Sequence, residues 1–449
     1  MDYKQLILKY KEEAINILKD LISFESVLDE YNPNSDAPFG LENKKALEYL
    51  LNLGNNDGFT TKNVDNYAGH IEFGSGDDIL GILAHLDVVP VNKAEWDSYP
   101  FKLDIRDGKM FARGAIDDKG PLVCAYIAMK ILKDTGFKPK KRIRLIAGCD
   151  EESGSRCLEH YLEKEEKPAL GFSPDACYPL IYGEKGMLSY DIFGESADDV
   201  ILEFICGTRY NIVPSEAKCR LSINLTKEFN EFINDNNYSG KIEDGYYITY
   251  GIAAHAMCPE NGVNAAYIMF EFLNKYTNSK LAKFMNEYYL DDVYGKKLGY
   301  YIYDDDMKDL TSNLAVVEIK NNKFKIGVNC RVPLDSQFKV IEECLNKACD
   351  KYGYSFKTFN INNRHYIDPN SDLVKTLMSC YQKVTNDYLN KPITIGGGTY
   401  AREIGYAVAY GPLFVGREDV CHIANEYMYI EDFIKSIEIY INAIYELSK

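Results

Sequence analysis

At 449 residues the chain is longer than one hydrophobic core usually grows, so two or more domains are expected. Hydrophobic residues at 46% and charged residues at 27% describe a soluble globular protein. A formal net charge of −17 repels phosphate backbones and anionic headgroups, which argues against nucleic acid and membrane surfaces as partners.

In chain order, Ile7, Tyr10, Ala14, Ile17, Leu18 and Leu21 recur at three- and four-residue spacing, which predicts an amphipathic N-terminal helix. It has no unbroken apolar core and no small-residue cleavage site, so no signal peptide is expected. No stretch reaches the ~18 apolar residues of a membrane span. Residues 41–53 predict a second helix, stopped by Gly54. Strands are predicted at 68–73 and 79–84, a mostly buried helix at 120–135, and a strand at 142–148. That alternation predicts an α/β fold with a mostly parallel sheet covered by helices.

Near residue 184 the texture changes. Short alternating runs at 188–193, 200–206, 217–225, 246–252 and 323–332 lie among helical patterns at 263–276 and 336–351. These predict an inserted α+β domain over 186–366, between a first part at 1–185 and a second at 367–449. The last part carries a helix from about 370, a glycine loop, a strand-like AVAYGPLF and a final helix. Twelve cysteines include no CxxC pair and lie in apolar segments, as reduced thiols of a cytoplasmic protein would.

Five short segments carry candidate chemistry. In LAHLDVV, His85 and Asp87 share one face of a strand, and a metal-bound imidazole commonly gives its other nitrogen to such an acid. Taken alone, a strand histidine with a coincidental acid nearby is the commoner case. RGAIDDKGP places Asp117 and Asp118 at the entry to a buried helix, as ligands or as simple caps. CDEESGS carries Asp150, Glu151 and Glu152 beyond a strand, SPDACYP carries Asp175, and VCHIANEY carries His422. Together, His85, Asp117, Glu152, Asp175 and His422 supply nitrogen and oxygen ligands at strand ends. That set suits zinc and admits manganese or cobalt.

The ordered series AHLDVVP, RGAIDDKGP, CDEESGS, SPDACYP, AAHAMCPENGVNA, IGGGTYA and GREDVCHIANEY resembles metallopeptidase family 20. It is most similar to the bacterial dipeptidase V-like, Xaa-His-type branch, with carnosinase, aminoacylase and carboxypeptidase G as more distant relatives. The resemblance implies a dinuclear metallopeptidase with two divalent ions per chain, zinc first. Asp117 would bridge them, His85 and Asp175 would complete one, and Glu152 and His422 the other. It also implies a cis Asp117–Asp118 bond, Asp87 orienting His85, and Glu151 as general base acting on a bridging hydroxide. The inserted domain becomes a lid in which His255 polarises the scissile carbonyl, assisted by Asn211. Arg331 and the amides of Gly397 and Gly398 would hold substrate. The expected reaction is hydrolysis of dipeptides with a free N-terminus. Deacylation of N-acyl amino acids is the alternative on the same site. The expected assembly is a monomer, with a homodimer as the alternative.

Overall fold

The computed structural model describes residues 3–195 and 200–449, which fall into two compact units. The first comprises residues up to Tyr182, Tyr366–Ile393 and Gly398–Lys449; the second comprises Gly183–His365 and Thr394–Gly397.

The first unit is built on a mixed sheet. Its strands run in the order Thr60–Val64, Ala68–Phe73, Arg142–Gly148, Ile79–His85, Leu170–Ser173, Ala407–Ala409 and Ile181–Glu184. Only the central four are parallel to one another; the flanking pairs are antiparallel. The mostly parallel sheet expected from the sequence is thus parallel at its centre alone. The reason is local: Ala68–Phe73 pairs directly with Arg142–Gly148, so the edge grows by a hairpin and not by a helical crossover.

The central strands are apolar along their whole length. Ile79–His85 is buried at every position, as a strand covered on both faces must be. The helix Lys119–Asp134 buries all but a few of its residues, packing against the helices Tyr3–Ser23 and Ile430–Ser448. The sequence left Thr60–Val64 unassigned because its exposed polar residues carry little alternation.

Register fixes where the chemistry falls. His85 ends its strand opposite Gly148, which ends the neighbouring strand, and Ser173 ends the third. Three strands therefore finish together, with the Asp150–Glu152 turn and Asp175 just beyond them.

The second unit holds an antiparallel eight-stranded sheet with helices including Ala265–Tyr276 and Gln337–Tyr352. The sequence reading missed its long strand Thr311–Lys320, whose near-continuous burial hides the alternation of period two. Among the described residues no helix is long and apolar enough to cross a membrane, and all twelve cysteines are free thiols.

Gly81 and Gly171 face each other where the two parallel strands meet. A Cβ on Gly171 would lie 2.3 Å from the Gly81 carbonyl oxygen. Gly171→Ala is expected to cost about 1–3 kcal/mol by overpacking, read as a lowered midpoint in thermal unfolding.

Candidate metal centre

His85 is wholly buried. Its Nδ1 lies 2.9 Å from the main-chain oxygen of Asp87 and donates to it, which leaves Nε2 as the free lone pair. That nitrogen is buried without a hydrogen-bond partner, 3.1 Å from Asp117 Oδ1 and 3.6 Å from Asp175 Oδ2. The other oxygen of Asp117, Oδ2, is 2.8 Å from His422 Nε2, which is 3.1 Å from Glu152 Oε1. Asp117 therefore presents one oxygen to each imidazole.

Two groups result, His85–Asp117–Asp175 and Asp117–Glu152–His422. Within each, the candidate ligand atoms lie within 4.8 Å of one another. Without a cation the site is electrostatically frustrated. Burial and neighbouring carboxylates push Asp118 and Glu151 well above the usual range for acids. Burial and Asp117 push Glu152 up to about 7. A lone pair aimed between two carboxylates, inside a cluster of mutually repelling acids, fits divalent cations. The donors are nitrogen and oxygen only, which suits zinc or manganese.

The turn after Gly148 is held from two sides. Asp87 accepts the amide of Glu151 on Oδ1 and that of Glu152 on Oδ2, each at 3.0 Å. Asp87 thus orients His85 through its carbonyl and the two glutamates through its carboxylate. Asp150, to which sequence reasoning gave no role, is fully buried and takes Arg156 in a two-point ion pair at 2.6 and 2.7 Å. Arg156 also lies over the Tyr31 ring, 4.2 Å from its centroid. Glu152 enters the second group, whereas Glu151 belongs to neither.

Other neighbours escaped the sequence reading. The Asp117–Asp118 bond is cis, as expected from the family pattern. Asp118 points back to accept the His85 amide at 3.1 Å. Buried Lys119 donates to the carbonyls of Leu21 and Phe24, and burial lowers it to about 7. Tyr400 packs its hydroxyl against Gly148, where a Cβ would lie 2.3 Å from it, with its ring centroid 6.3 Å from that of His85. Glu426 is buried as well, and the signal for it was the one acid of VCHIANEY, followed by Tyr427 and Met428.

The remaining predicted residues, apart from Gly398, lie in the second unit. Ala256 N donates to Asn211 O at 2.8 Å and Val213 N to Ala254 O at 2.8 Å, so the His255 and Asn211 segments run side by side. Met257 N donates to His255 Nδ1 at 3.2 Å, which puts the ring proton on Nε2. Thr311, opposite Arg331 across the sheet, donates to Ala256 O at 2.9 Å. Arg331 Nη1 donates to Gly396 O at 2.9 Å. Asn211, His255, Arg331 and the loop ending at Gly397 thus gather within one unit. Gly398 belongs to the other. A Cβ on Gly396 would lie 2.6 Å from that of Met257 and one on Gly398 2.6 Å from Arg402 Nη2, whereas Gly397 has ordinary room.

Comparison with known proteins places the chain in a family. The family model "Peptidase family M20/M25/M40" matches residues 81–446. A Staphylococcus epidermidis protein named "Putative dipeptidase" is 39% identical, covering 99% of each chain. A Staphylococcus aureus protein of similar name is 39% identical over the same shares. Human carnosine dipeptidase 1 is similar in fold at TM-score 0.60 and 16% identity, covering 99% of this chain and 98% of its own. The Saccharomyces cerevisiae dipeptidase Dug1p gives TM-score 0.58 at 17% identity, with coverage of 99% and 98%.

Asp87→Ala removes the acceptor for both glutamate amides while leaving the carbonyl that holds His85. Metal titration by calorimetry is expected to show the Glu152-side ion weakened by roughly 10–100-fold, with the His85-side ion retained.

Proposed function

The chain belongs to peptidase family M20/M25/M40, and from that premise we propose that it hydrolyses dipeptides with a free N-terminus at a two-metal centre. Asp117 carries this reading, because each of its oxygens faces a different imidazole, at 3.1 and 2.8 Å. His85 and Asp175 would complete one ion site and Glu152 and His422 the other, with zinc as the preferred occupant. The naming of the staphylococcal relatives and their full-length match favour dipeptides over acyl-amino acids.

Bound divalent ions supply two things: a water acidified toward pKa ~7 and a polarised substrate carbonyl. The chain's own groups do the rest. Glu151 is left out of both ligand groups, and burial with the nearby charge of Asp175 raises its proton affinity. It is suited to take a proton from the attacking water and return it to the leaving amine. His255, with its proton on Nε2, is a donor for the oxyanion that forms on the substrate carbonyl. Arg331, with the amides of Gly397 and Gly398, would meet the substrate's terminal carboxylate.

Glu151→Ala should lose nearly all turnover and still bind two ions per chain, whereas Glu152→Ala should lose one ion. The reverse pattern in metal analysis would overturn the assignment of roles. His255→Ala should lower turnover by ~10²–10³ without changing metal content. A panel of dipeptides, tripeptides and N-acyl amino acids, assayed with zinc or manganese, should be turned over best as dipeptides. Preference for N-acyl amino acids would instead mark a deacylase.

A further inference from the structure

Asp117 and His422 lie 305 positions apart, yet their side chains meet at 2.8 Å. Something must hold the two segments in register, and His422 needs it most. Its backbone sits at φ 65, in the left-handed region, on an exposed loop.

Glu426 supplies the tie. Its side chain is fully buried. Oε1 accepts the amide of Ile116 at 3.0 Å and that of Asp117 itself at 3.3 Å. Oε2 accepts Arg113 Nη1 at 2.5 Å. The main-chain oxygen of Glu426 accepts Ala112 N at 3.1 Å. Next to it, Asn425 Oδ1 accepts the amide of Asp97 at 2.9 Å. One residue, four positions after His422, thus holds the backbone from Ala112 to Asp117. Arg113 is held in turn: it is 2% exposed, lies 5.5 Å from the Trp96 ring centroid, and its amide donates to Pro100 O at 2.9 Å.

We infer that the buried Glu426–Arg113 pair is a positioning element for the metal centre, setting the separation of Asp117 from His422. The inference rests on the reading of Asp117, Glu152 and His422 as metal ligands. Glu426 touches no ligand atom of either group; it acts through the backbone of Asp117 and through the chain leading to His422. A charged carboxylate suits this task because it accepts two amides and a guanidinium at once. A neutral amide could still accept on one atom, but it would turn an NH₂ group toward Arg113 or toward the two amides.

The test is metal titration of metal-free protein with zinc, by calorimetry, beside the thermal midpoint of the same metal-free sample. The parent is expected to take up two ions. In Glu426→Gln the ion held by Asp117, Glu152 and His422 should bind roughly 10–100-fold more weakly. The metal-free midpoint should move by only a few degrees. Excess metal should then restore turnover, which a general loss of structure would not allow. Glu426→Asp keeps the charge but withdraws it by one methylene, and should weaken the same ion less.

An isotherm for Glu426→Gln that superimposes on the parent's would overturn the inference. So would failure of both variants to fold, which would assign the pair to stability alone. A parent that takes up no zinc would remove the metal reading itself, and is told apart because the parent titration is read first.

Discussion

The lone pair of His85 is the constraint on which the rest of the centre depends. Its ring proton is committed to the Asp87 carbonyl, and Nε2 is buried facing oxygens of Asp117 and Asp175. An acceptor surrounded by acceptors costs free energy unless a proton or a metal ion lies between them. Two carboxylates are already compensated elsewhere, Asp150 by Arg156 and Glu426 by Arg113, so the deficit falls on the ligand groups. The family's metal dependence is therefore visible as an electrostatic need of the folded chain.

That need also explains a division of labour among the acids. Asp87, Asp150 and Glu426 spend both oxygens on backbone amides or guanidinium groups, and Asp118 spends Oδ2 on the His85 amide. They fix positions. Asp117, Glu152 and Asp175 point their oxygens at imidazole nitrogens. Glu151 alone is in neither set, although it is joined to Glu152 by one peptide bond. What separates the pair is Asp87, which holds both amides with one carboxylate and so fixes the backbone from which the two side chains diverge.

The candidate ligand residues could be picked out because each lies in a short motif, and the order of those motifs along the chain carries the family resemblance. The supporting acids were not legible for the opposite reason. Glu426 acts on residues 309 and 310 positions away, and Asp87's carboxylate on a turn 64 positions on. Asp150 looked like part of a solvated acidic loop, since nothing in CDEESGS shows that Arg156 folds back beneath it. The flanking antiparallel strands were lost similarly, because pairing of Ala68–Phe73 with Arg142–Gly148 is a property of the sheet and not of either segment.

The two units carry different charged groups. The first unit's site gathers five acids, Asp117, Asp118, Glu151, Glu152 and Asp175, and burial raises the proton affinity of Asp118, Glu151 and Glu152. Within the second unit, Arg331 is tied to the Gly396 carbonyl, and the His255 segment is tied to Thr311 opposite it. A cation and a neutral donor are thus prearranged together within one unit. On the function proposed above, the acids that would hold metal and move protons belong to one unit. Arg331 and His255, which would meet substrate, belong to the other, so each set is positioned by its own unit's packing.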